Sequence, residues 1–148
     1  TYFRLFATTN TVGLGDMTGL YHGTQQINQG QMDRWHILST LNYLDPSQEF
    51  KVVMSKLGNL KSDKNKEMIR NMIKLANLTR TGFANGDIST LMSPRTVISW
   101  GQNFKIFKDL VSSFNLTFLN KCDDLERSII SEYFQRCFDI EIQNNISS

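Results

Sequence analysis

The 148-residue chain has few of the residues that usually announce a function: two cysteines, two histidines and two prolines. Nothing in it approaches the roughly eighteen consecutive apolar residues of a membrane-spanning helix, and no basic-then-apolar leader stands at the front. Sixteen Lys and Arg against fourteen Asp and Glu leave a net charge of only +2, without the concentrated basic face of a nucleic-acid binder. No His or Cys lies at zinc-finger spacing around Cys122 and Cys137, so no metal site is read, and the pair reads as two buried or half-buried thiols of a reducing cytoplasm. The three Asn-x-Ser/Thr sequons, at Asn77, Asn115 and Asn145, carry no weight without a leader. Hydrophobic residues make up 40% of the chain, enough for a packed core and too many for a disordered one. The first residue is Thr1 rather than Met, and an apolar run begins at once, so the opening of the protein is expected to lie upstream.

What is present divides near residues 42 to 45. Phe3 to Thr8 alternates large apolar residues with others and reads as a strand. A loop with Gly13, Gly15, Gly19 and Gly23 follows, then a polar helix from about Thr24 to Arg34, weakened by Gly30. Trp35 to Leu41 reads as a second strand. A loop and helix between two strands form a crossover, which places both in one parallel sheet, and such a sheet needs further strands. The expectation is an α/β part over 1–44 and a helical part over 45–148.

The helical part is strongly punctuated. Asp45-Pro46 and Ser93-Pro94 are cap-plus-proline starts. Phe50, Val53, Met54 and Leu57 form one apolar stripe. Met68, Ile69, Met72, Ile73 and Ala76 form a second, from a start at Ser62 or Asp63, with Gly82 and Asn85-Gly86 punctuating its end. Val97, Ile98, Gly101 and Phe104 continue a third. A segment from about Leu110 to Leu119 follows, then a helix from Asp123 to Phe138 with Asp123 as cap and Glu126 at the capping-box position. The tail after Glu141 is expected to fray. The charges between Lys51 and Lys74 read as a solvated helical face.

Hydrolase elbows, His-Glu-x-x-His and phosphate-cradling Lys loops are all absent from this stretch. His36 reads as a packed or edge-strand histidine, and His22 equally as loop structure or partner contact. Three polar positions are more suggestive, although each taken singly reads first as ordinary structure: Asn10, at the end of the first strand where open α/β sheets bind ligands, or a strand-end turn; Arg34, beside Asp33, or a surface salt bridge; and Arg95 just inside a proline-started helix, or a helix-surface charge.

The run Phe3-Arg4-Leu5-Phe6-Ala7-Thr8-Thr9-Asn10-Thr11, then Gly13-Leu14-Gly15-Asp16 and Gly19 to Gln29, resembles the ATPase subunits of aerobic cobaltochelatases, a MoxR-like branch of the AAA+ ATPases. The likeness continues through Gln31 to Trp35, Leu41 to Leu44, Ser93 to Trp100, Leu116 to Cys122 and Glu132 to Phe138, and is weak over about 49–92. It implies a fold of α/β plus all-α type: the last parallel-sheet strands of a P-loop NTPase core over 1–44, then a helical lid subdomain over 45–148. It also implies roles. Asn10 falls on sensor 1, orienting the attacking water and touching nucleotide. Arg34 falls on the arginine finger, offered to the ATP of a neighbouring subunit. Arg95 falls on sensor 2, reaching the γ-phosphate.

The cofactors implied are ATP and Mg2+, held mainly by Walker A and Walker B residues expected upstream of Thr1, so the fragment alone is expected to be inactive. The partners implied are further copies in a ring, a hexamer, together with a large chelatase subunit and a von Willebrand-type subunit. Co2+ is the substrate of that complex, inserted into the corrin ring of hydrogenobyrinic acid a,c-diamide. Neither nucleic acid nor membrane is expected as a partner. A MoxR-type chaperone for another metalloenzyme and a non-enzymatic helical module are the alternative readings.

Overall fold

The computed structural model describes residues 2–9, 11, 15 and 24–142. The chain divides into two units, Thr1–Asn42 and Tyr43–Ser148.

In the first unit the described residues contain one short helix, α1 (Gln29–Met32), and no strand. Both strand expectations are corrected here. Phe3 to Thr8 and Trp35 to Leu41 have no neighbouring strand to pair with among the described residues, and a strand exists only through main-chain hydrogen bonds to another. Their apolar side chains stand in solvent: Phe3, Phe6, Ile37 and Leu41 are all more than four-fifths exposed. His36 accordingly lies in an exposed bend rather than in a strand. The helix expected over Thr24 to Arg34 contracts to four residues. It buries none of them, and Gly30 lies within it, so local bonds hold it, among them the Asn28 cap, with Asn28 Oδ1 accepting from Gln31 N at 2.9 Å. The expectations on Asn10, His22, Gly13, Gly19 and Gly23 lie outside the described residues.

The second unit is a helical assembly of α2 (Pro46–Leu57), α3 (Asp63–Asn85), α4 (Pro94–Phe107), α5 (Leu110–Thr117) and α6 (Asp124–Phe138), with a 3₁₀ turn at Leu119–Lys121. Its starts follow from capping chemistry. Asp45, Ser62, Ser93 and Asp109 each accept from a backbone N–H two or three residues on. Pro46 and Pro94 occupy first-turn positions where the missing N–H costs nothing. Asp123 departs from expectation: it stands at the N-cap of α6 without a side-chain cap, and the Glu126 carboxylate, which a capping box would return to the Asp123 N–H, accepts instead from Ser89 N on the segment after α3.

α3 packs on α2, α4 and α6, and α4 packs on α2 and α5. Of the stripes read from the sequence, Val53, Leu57, Ile69, Met72, Ile73, Ala76, Val97 and Gly101 are buried and the others half-buried, and Leu75 and Trp100, outside those stripes, join the core. An aromatic cluster fills the far end. The Trp100 and Phe114 rings lie 4.9 Å apart, Phe114 and Phe134 4.8 Å, and Phe134 stacks on Phe138 at 4.8 Å. The indole N–H of Trp100 donates to Ser113 Oγ at 3.2 Å, so the ring is buried without an orphaned donor. Gly82 does not end α3, which runs three residues further to a left-handed Gly86 (φ 81°). Gly82 instead admits Tyr133 and Ile88, whose atoms would lie 2.9 and 3.3 Å from an added Cβ. Ile142, just past Glu141, is buried, and the rest of the tail expectation, on residues 143–148, lies outside the described residues.

Candidate functional site

The segment Leu91-Met92-Ser93-Pro94-Arg95 determines where Arg95 stands. Ser93, extended at φ −79° and ψ 163°, caps α4 by accepting from Thr96 N at 3.3 Å. The first buried residue of α4 is Val97, two positions beyond Arg95, and a two-residue step turns a helix by about 200°. Arg95 therefore faces away from the core and is exposed. No acid lies in the first turn of α4, and among the described residues Arg95 joins no ion pair. An unneutralised guanidinium beside the positive end of a 14-residue helix is an arrangement that attracts an anion, a phosphate above all.

Arg34 stands two residues past the end of α1. Asp33, its neighbour, accepts from Gln29 Nε2 at 3.2 Å and forms no salt bridge with it. Arg34 N donates to Gln31 O at 3.3 Å, which closes the turn and leaves the side chain exposed and without an ion pair among the described residues. Arg34 belongs to the first unit and Arg95 to the second, and Asn10 lies outside the described residues.

The sequence reading missed the most heavily bonded side chain near Arg95. Arg80, on α3, is buried and donates through Nη1 and Nη2 to the two oxygens of Glu49, at 2.7 and 2.8 Å. Glu49, on α2, is fully buried. Arg80 also donates from Nη1 to Asn77 Oδ1 at 2.9 Å and from Nε to Met92 O at 2.8 Å. The ring of Tyr43 covers its guanidinium at 4.2 Å. Thr79, next to it, accepts from Met92 N at 3.0 Å and donates to Ala76 O at 2.8 Å. The signal was available in the spacing: Met72, Ala76 and Arg80 step by four, as do Glu49, Val53 and Leu57, so each charge continues a buried stripe. Such charges survive burial only as a pair.

Both cysteines are free and buried. Burial, with the Glu126 carboxylate second, pushes the Cys122 thiol up to about 11, and burial raises Cys137 as well. Among the described residues no group of three or more His, Cys, Asp or Glu could hold a metal ion, and no helix is long and apolar enough to cross a membrane.

No family model matches the chain, and no solved structure matches it. The chain is homologous to a subunit of a metal chelatase. That relative is the aerobic cobaltochelatase subunit CobS of a Sinorhizobium species, 58% identical over 141 residues. The match takes in 95% of this chain and 42% of the relative, so the chain spans well under half the relative's length. The family resemblance read from the residues is thus upheld.

Proposed function

We propose that the chain is the lid-bearing part of an AAA+ ATPase subunit that drives cobalt insertion into the corrin ring of hydrogenobyrinic acid a,c-diamide in aerobic cobalamin synthesis. The observation that carries the proposal is the 58% identity to CobS over nearly the whole chain. The unneutralised Arg95 at the start of α4 supports a phosphate-facing role for that end of the helical unit.

In this reading the exposed apolar run Phe3 to Thr8 and the run Trp35 to Leu41 take their places in a parallel sheet once the rest of the P-loop core is beside them. Their exposed apolar side chains suit burial between helices. Asn10, at the end of the first run, orients the attacking water. Arg34 extends into the nucleotide site of a neighbouring subunit in a hexameric ring, and Arg95 reaches the γ-phosphate within its own. The donor set of these residues, an amide and two guanidinium groups, suits a nucleotide triphosphate and not a metal ion. When bound, Mg2+ would supply neutralisation of phosphate charge, and the resemblance assigns its ligands to Walker motifs rather than to Asn10, Arg34 or Arg95. The arginines hold the γ-phosphate oxygens as charge develops, which accelerates transfer to water. Co2+ and the corrin are handled by a large chelatase subunit, with a von Willebrand-type subunit completing a cytoplasmic complex.

The test uses the full-length protein. Arg34→Ala is expected to lower ATP turnover by about three to five powers of ten while leaving nucleotide binding in place, as loss of a trans arginine does. Titrating Arg34→Ala subunits into wild-type rings should poison turnover faster than in proportion. Equal loss of binding and turnover, or strictly proportional mixing, overturns the trans role. Cobalt insertion by the reconstituted three-subunit complex, lost with the same variant, tests the reaction. Retained insertion overturns it.

A further inference from the structure

Met92 lies three residues before Arg95, and both of its backbone polar groups are tied to consecutive residues of α3. Its carbonyl accepts from Arg80 Nε at 2.8 Å, and its N–H donates to Thr79 Oγ1 at 3.0 Å. The Met92 side chain is fully buried. Arg80 is in turn held in both rotation and reach by the two-oxygen grip of Glu49 from α2, and by Asn77 one turn back on α3. Four hydrogen bonds on one planar guanidinium leave it a single orientation. A buried ion pair is a poor way to gain stability alone, since packed apolar side chains of the same volume do as well. What it does supply is direction. Here that direction is spent on the strand-like stretch from which α4 starts. Ser93 and Pro94 then continue without a flexible residue between the tether and Arg95.

We propose that Arg80 is a positioning residue: anchored by Glu49, it fixes the first turn of α4 and so the place from which Arg95 reaches the γ-phosphate of a bound nucleoside triphosphate. The inference deepens the proposed function and rests on its reading of Arg95. Arg80 itself touches no nucleotide, because it is buried beneath Tyr43 and Glu49. Two tethers on one residue also make two separate handles. Arg80→Lys keeps the charge and loses the fork. Thr79→Val keeps the volume and loses the acceptor, and Thr79→Ser restores it.

The experiment measures equilibrium binding of ATPγS and of ADP to the full-length protein carrying these substitutions, alone and combined with Arg95→Ala. Arg80→Lys and Thr79→Val are each expected to weaken ATPγS binding about tenfold, the size of effect a displaced binding group gives. ADP, which lacks the γ-phosphate, should bind as before, and Thr79→Ser should bind as wild type. In the Arg95→Ala background neither substitution should weaken ATPγS further. A merely structural role predicts equal weakening of ADP and ATPγS, or losses that add to that of Arg95→Ala, and either result overturns the proposal. Should Arg80→Lys fail to fold, the Thr79 pair decides by the same readouts. Arg95→Ala without effect on ATPγS would instead overturn the reading of Arg95, and the positioning role with it.

Discussion

Gly101 of α4 lies against Leu57 of α2 so closely that a Cβ added to the glycine would come within 2.4 Å of Leu57 Cδ1 and 2.9 Å of Cδ2. Leu57 is fully buried. The close crossing of α2 and α4 at this point therefore depends on a missing methyl group. Ala in place of a mid-helix Gly ordinarily gains about 1 kcal/mol. Here overpacking should outweigh that gain, and Gly101→Ala is expected to destabilise the protein by about 1–3 kcal/mol in denaturant unfolding followed by circular dichroism. Pairing it with Leu57→Ala should cost less than the sum of the two single changes. A stabilised Gly101→Ala would mean that Leu57 has room after all.

Glu126 gives the acid dependence a sign. Its burial raises the carboxyl, but hydrogen bonds from Ser89 and Thr90 lower it by more, and the net result lies below the ordinary 4.5. A depressed carboxylate contributes stability that is complete above its ordinary value and is lost as pH falls through the lower folded one. Glu126→Gln is accordingly expected to cost about 1–3 kcal/mol at neutral pH, where Ser89 N loses a charged acceptor. The gap to wild type should narrow as pH falls below about 4.5. A gap constant with pH would show that packing, not charge, holds the segment after α3.

The helical unit was legible in the sequence because each of its signals is local. Asp45-Pro46, Ser93-Pro94 and the three- and four-residue apolar steps need only a few neighbours to act, and they set the helix starts and faces correctly. The Phe3–Thr8 and Trp35–Leu41 runs were read as strands from alternation alone. Alternation gives a preference for a pleated, half-buried surface, and without a partner edge there is none to adopt. The capping box at Asp123 failed for the opposite reason: a correct local signal lost to a distant one, since Glu126 serves Ser89 instead. Arg34 and Arg95 were singled out by the family motif, and both side chains are exposed. Arg80 was missed because the apolar stripe of α3 was followed only to Ala76, although a further four-residue step carries it inward to Arg80.

The two thiols are expected to be inert in the folded protein. Cys122, raised to about 11 by burial and by the nearby Glu126 carboxylate, is protonated at neutral pH, and its Sγ donates to Phe118 O at 3.4 Å. The thiolate is the reactive form, so modification must wait for local opening. Disulfide-exchange reagents at pH 7–8 should label both cysteines far more slowly than in denaturant, by about 10² or more, and labelling should speed up with added denaturant. Rapid labelling of the native protein would show that Cys122 or Cys137 is not enclosed.

Lys108 ends α4 in the left-handed region, at φ 57° and ψ 11°, with its N–H donating to Phe104 O at 2.9 Å. A side chain there strains against its own carbonyl by about 1 kcal/mol, and glycine does not. The helix ending is nevertheless required, because Asp109 must turn at once to cap α5 by accepting from Ser112 N at 2.7 Å. Lys108→Gly is therefore expected to raise stability by about 0.5–1 kcal/mol, the strain relieved being partly offset by the freer unfolded chain. Lys108→Ala retains a Cβ and should gain nothing, which separates backbone strain from loss of the charge. Gly86, at φ 81°, is the mirror case, and Gly86→Ala should lose about what Lys108→Gly gains. If Lys108→Ala stabilised as much as Lys108→Gly, the gain would come from removing the lysine rather than from the backbone.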